Sequence, residues 1–131
     1  MKPQMLLMLR IIWAALLMGQ IIFLALILAG VVPHQHQTQP IFGYVSLIML
    51  VTIVPITFGI RAFQLRRAAD GSGPANGVMN GNIIFWAGCE GVSFASMVFA
   101  VVTSWSTPLI CAVAIAMALQ MVTFPQQSAE I

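Results

Sequence analysis

Apolar residues in this chain gather into four long, nearly unbroken runs. The first covers 11–32 and stops at "PHQHQTQP" (33–40). The second covers 41–60 and stops at "RAFQLRR". A polar, glycine-rich stretch, "AADGSGPANGVMNGN" (68–82), precedes the third run at 83–103. The turn "SWST" leads into the fourth run, 108–124. A helix rising 1.5 Å per residue needs about 20 residues to cross an apolar layer of roughly 30 Å. The pattern therefore predicts an all-α, integral membrane four-helix bundle, one transmembrane domain over 1–131, with an inner loop at 61–82. The fourth span, about 17 residues, is at the short limit. The first is too long for the core of a secretory signal and no A-x-A-like site follows it, so it reads as a retained helix.

Composition agrees. Hydrophobic residues make up 60% and charged residues 6%, with mean hydropathy +1.00. Soluble domains have roughly 25% charged residues, so the chain cannot cover a water-exposed surface with charge. The basic residues are Lys2, Arg10, Arg61, Arg66 and Arg67. In a four-span arrangement all fall on one side, and the positive-inside rule places both termini in the cytoplasm. These scattered cations form no dense basic face, so no nucleic-acid partner is expected. Tyr44 and Trp105 fall near the outer boundary, Trp13 and Trp86 near the inner one, and all four read as interfacial anchors.

Helices in lipid associate through close backbone approach and interhelical hydrogen bonds. Ala87, Gly91 and Ala95 form a small-residue stripe on helix three, and Ala112 and Ala116 one on helix four. Together they predict a tight antiparallel hairpin. Polar capacity is concentrated in one layer. At 1.5 Å per residue, Gln20 lies about 13 Å and Glu90 about 10 Å from the inner ends of their spans, and Pro55 about 8 Å. Pro55 removes a backbone donor and frees the carbonyl of Val51, with Thr52 and Thr57 close by in sequence. A carboxyl at this depth favours its neutral form. Protonated Glu90 is expected to donate to the Val51 carbonyl and to accept from Gln20.

Other chemistry is sparse. His34 and His36, two apart in the outer loop, are the pair closest to a metal site, but the loop reads as solvated and no metal or cofactor is expected. Cys89 and Cys111 differ in depth too much for a disulfide and read as buried thiols. Nucleophile-elbow, zincin and phosphate-loop motifs are absent, which points away from an enzyme.

Helix two, the basic inner loop and "IIFWAGCEGVSFASMVFAVV" together resemble the hairpin of the c subunit of rotary ATP synthases, whose returning helix holds an ion-binding carboxylate. That resemblance implies proton or sodium exchange at Glu90, with Arg66 and Arg67 loosely standing for the polar loop. The whole chain also resembles small four-helix bacterial membrane proteins, through its "RIIWAALL" opening and a glutamate in helix three, which implies the bacterial inner membrane. The expected role is a non-enzymatic structural or accessory subunit, its partners being the bilayer and other membrane subunits or further copies of itself. The alternative is a c-subunit-like or channel-like exchanger using Glu90.

Overall fold

A computed structural model describes residues 3–30, 40–74 and 76–125. Four helices account for most of them: α1 (Pro3–Leu28), α2 (Pro40–Ala69), α3 (Gly77–Val102) and α4 (Thr107–Val122). Among the described residues there is no strand. α1, α2 and α3 are each long and apolar enough to cross a membrane, whereas α4 is a shorter apolar helix.

The helices outrun the spans predicted from hydropathy. α2 continues for nine residues beyond residue 60, and the expected inner loop 61–82 shrinks to the connection 70–76. Arg61, Arg66 and Arg67 end the apolar run, but "RAFQLRRAA" is rich in good helix formers, so nothing there ends the helix. What ends it is Gly71, at φ 72°. Its N–H bonds to the Ala68 carbonyl at 3.2 Å and the Ser72 N–H to the Arg67 carbonyl at 3.0 Å. This pair of bonds is a Schellman cap, which needs a left-handed residue that glycine adopts without strain. Gly30, at φ 77°, follows α1 in a similar way.

α3 is the centre of the bundle and packs against all three other helices; α2 and α4 run antiparallel to it and α1 parallel. Its buried face includes Phe85, Trp86, Cys89, Val92, Ser93, Ser96, Met97 and Ala100. Phe94 meets Phe23 of α1, Phe99 meets Phe42 of α2, and Phe85 meets Phe58 of α2, with ring centroids 5.1–5.7 Å apart. Such tilted and edge-on pairs add specificity to plain apolar packing. Ala112 and Ala116 of α4 are fully buried in this core, as expected of a packing pair.

The small-residue stripe on α3 is a different matter. Ala87 and Gly91 are exposed, Ala95 is half-buried, and a methyl group added at Gly91 would meet nothing within 4 Å. The close approach lies round the helix at Gly77, Gly81 and Gly88. A Cβ on Gly88 would stand 2.8 Å from Thr57 Cγ2, and one on Gly81 would stand 3.0 Å from Gln64 Cβ and 3.3 Å from the Arg61 backbone. Gly77 and Gly81 form a GxxxG pair, and α2 rests on that row because no side chain holds the backbones apart. The sequence pattern does not single out that row, because Gly77 and Gly81 fall in the polar stretch read as a loop and only Gly88 lies among apolar neighbours.

Gly88→Leu is expected to force α2 and α3 apart and cost about 2 kcal/mol, within the usual range for overpacking. Gly91→Leu is expected to leave the stability of the isolated chain unchanged. Thermal unfolding of both variants in the same detergent checks the contrast.

Candidate functional site

The expected polar cluster around Glu90 does not assemble. The buried face of α2 is Gly43, Ser46, Leu50 and Val54, spaced three and four residues apart. Val51, Thr52 and Pro55 fall on the opposite side and are exposed, Val51 to 64%. Thr52 Oγ1 donates to the Ile48 carbonyl of its own helix at 2.7 Å, and Thr57 Oγ1 to the Ile53 carbonyl at 2.8 Å. Threonines without a partner on another helix commonly bond back in this way. Thr57 is the one member of the α2 group that packs against α3, and it meets Gly88 rather than Glu90.

Gln20 is fully buried, but it faces α4. Its Nε2 donates to Gln120 Oε1 and, at 3.4 Å, to the Leu16 carbonyl. Gln120 is likewise fully buried. A single bond between two amides leaves one acceptor and one donor over, here Gln20 Oε1 and Gln120 Nε2, and neither has a partner among the described residues. The Ser93 hydroxyl of α3 is also fully buried and unpartnered. Sequence reasoning passes over Gln120, which lies at the far end of the chain among apolar residues. The signal is nonetheless there, since a glutamine in "AMALQMV" is as anomalous as Gln20 in "LMGQII".

The Gln20–Gln120 pair belongs to a larger arrangement that closes the end of α4. Sixteen residues rise only about 24 Å, short of a roughly 30 Å layer. α4 therefore stops well before the α3 N-terminus beside it, and its last carbonyls lack intrahelical partners. Side chains from other helices reach them. Trp13 Nε1 donates to the Gln120 carbonyl at 2.6 Å. Thr123 Oγ1 donates to Leu119 O at 2.9 Å and accepts from Trp86 Nε1 at 3.0 Å. Arg10 Nε donates to the Pro125 carbonyl at 3.2 Å, and its guanidinium lies 5.4 Å from the centroid of the Phe124 ring. Trp13 meets the same ring edge-on, with centroids 4.9 Å apart. A cation at a helix C-terminus also complements the negative end of the macrodipole. Trp13 thus donates to the end of α4 and Trp86 to the Thr123 hydroxyl beside it; Trp86, expected as an interfacial anchor, is fully buried.

Glu90 remains by itself. It is half-buried, and no hydrogen bond or ion pair engages it among the described residues. It lies on the flank of α3 that faces α1, one turn from Phe94, whose ring lies beside Gly19 and Phe23. Its chain neighbour Gly91 belongs to the open outer face, with Ala87, Ile84 and Val98. A carboxyl, a strip of backbone without side chains and a row of exposed apolar groups therefore share one edge of the bundle. That edge offers a hydrogen-bonding group and room for close approach, and no helix of this chain takes up either.

Cys89 and Cys111 are both free, as expected, but only Cys89 is buried. Cys111 points outward from α4. No group of three or more His, Cys, Asp or Glu side chains is placed to hold a metal among the described residues. His34 and His36 lie outside those residues. In comparisons with known proteins, the chain matches no family model, no curated protein and no solved structure.

The amide pair makes an energetic prediction. Gln20→Leu or Gln120→Leu alone strands the other buried amide and is expected to cost about 1–3 kcal/mol. The double variant removes both polar groups and is expected to cost less than the sum of the two single changes. A double-mutant cycle by denaturation in mixed micelles measures that coupling.

Proposed function

We propose that this chain is a small multi-pass protein of the cell inner membrane that works as a non-enzymatic structural or accessory subunit, through lateral contact between α3 and a helix of another chain. Both termini lie in the cytoplasm in this reading. It is supported by the gathering of Arg10, Arg61, Arg66 and Arg67 at the end of the bundle where α1 and α3 begin, together with the positive-inside rule.

The observation that carries the proposal is Glu90 beside Gly91. A carboxyl at membrane depth is costly unless it is paired, and intramembrane acids usually mark function. The fold gives Glu90 no partner among the described residues, while the neighbouring glycine leaves open backbone of the kind membrane helices use for close contact. A second helix carrying a donor such as an amide, hydroxyl or cationic side chain would satisfy both. That helix belongs either to a further copy of this chain or to another membrane subunit.

The same lone carboxyl favours one other reading, in which Glu90 exchanges a proton or sodium ion with the surroundings. The two readings part at this residue. Purification in mild detergent, with identification of co-purifying chains, is expected to yield an assembly that Gly91→Leu disrupts and Glu90→Gln preserves, since Gln keeps the hydrogen bonding. A wild-type chain that purifies alone and tolerates Gly91→Leu would sink the lateral-contact reading. Proteoliposomes whose proton or sodium flux disappears in Glu90→Gln, with assembly intact, would favour exchange.

A further inference from the structure

The four described basic residues all sit at one end of the bundle, where they outnumber the acids. Arg10 and Arg66 are exposed and Arg67 is half-buried, and no ion pair engages these three among the described residues. Asp70 is the single described acid at that end; the other described acid, Glu90, lies at membrane depth. At the opposite end the described residues include no charged side chain at all.

The arginines are also held in place. α2, at 30 residues, is about 45 Å long, so its last turns project beyond a roughly 30 Å apolar layer. Those turns contain Arg61, Arg66 and Arg67. The Arg67 guanidinium lies 5.4 Å from the centroid of the exposed Phe63 ring, one turn back, and its Nη2 donates to the Ser72 carbonyl at 3.2 Å. Arg10 is fixed in the same manner, over Phe124 and on the Pro125 carbonyl. Two helices thus lay an arginine over an aromatic ring at one end of the bundle. Long arginine side chains near the ends of membrane helices reach outward to the interface, which brings these guanidiniums to the lipid phosphates.

From this geometry we propose that the arginine end is a binding surface for anionic phospholipid, with Arg66, Arg67 and Arg10 engaging headgroup phosphates. The occupant follows from charge complementarity. The described residues at this end include four cations against one acid, Asp70, and guanidinium is a planar donor fork that matches phosphate oxygens. Arg10 and Arg67 retain further N–H donors beyond those already bonded, since each guanidinium has five. The inference is independent of the Glu90 reading and of which side of the membrane the arginines occupy.

Electron paramagnetic resonance with spin-labelled lipids tests it on the full chain in vesicles. Spin-labelled phosphatidylglycerol is expected to associate more strongly than spin-labelled phosphatidylcholine, by up to about fivefold for each arginine engaged. Molar salt is expected to weaken the preference, because these charges are partly exposed. Arg66→Gln with Arg67→Gln is expected to remove most of it, and the corresponding double lysine variant to keep much of it, with helix content by circular dichroism unchanged in both. Equal association of the two lipids in the wild type would overturn the proposal. So would loss of the preference on adding millimolar inorganic phosphate, but not chloride of equal ionic strength, since that would assign the arginines to a soluble anion.

Discussion

The last carbonyls of a helix must be met by groups from outside it, and in this molecule side chains of neighbouring helices gather for that purpose at the end of α4. At 16 residues the helix is ten shorter than the 26-residue α3 beside it. Its terminal carbonyls therefore become attachment points. Trp13 of α1 reaches the Gln120 carbonyl, Arg10 of α1 the Pro125 carbonyl just past the helix, and Trp86 of α3 holds Thr123, which caps the final turn. α1 shares little surface with α4, and these bonds, with Gln20 on Gln120, join the two at that end. Toward the other end the helices part, leaving an apolar groove lined by Leu24, Leu28, Val113 and Met117. A short helix and its caps thus decide which parts of the bundle are tied and which are open.

The second constraint is the close contact of α2 with α3. Glycines at 77, 81 and 88 let α2 lie directly on the α3 backbone, and the Phe58–Phe85 pair within that contact and the Phe42–Phe99 pair beyond it join the same two helices. With α2 on that face, and α4 and α1 on the next two, one side of α3 is left uncovered. Glu90 stands at the edge of that side. Its lack of a partner follows from the packing of the other three helices, and the lateral-contact proposal addresses that same gap. The arginine end has a comparable logic, with cations positioned by aromatic rings and carbonyls rather than by acids.

Much of this is legible in the amino-acid order. Four apolar runs predict four helices, and four helices form. Ala112 and Ala116 read as packing residues, and they are buried. Counting places each residue of the Glu90 cluster along its own helix, because rise per residue is constant. What counting cannot supply is direction round the helix. On a soluble helix an apolar stripe marks the inward face. Here the helices are apolar all round, so Val51 and Leu50 look alike in sequence, although one faces outward and the other the core. The Ala87–Gly91–Ala95 stripe misleads for the same reason, and so does the acceptor expected for Glu90.

The sequence by itself determined the number of described helices, their order, the gathering of arginines toward one end and the approximate position of each polar group along its helix, because these depend on hydropathy and a fixed helical rise. Tertiary structure alone decided which polar groups meet. Gln20 found Gln120, Trp13 and Trp86 turned to the end of α4, and Glu90 was left over. Each outcome depends on the rotation of one helix against another. In a chain apolar on every side, that rotation is set by glycine contacts and by hydrogen bonds between residues up to about a hundred positions apart.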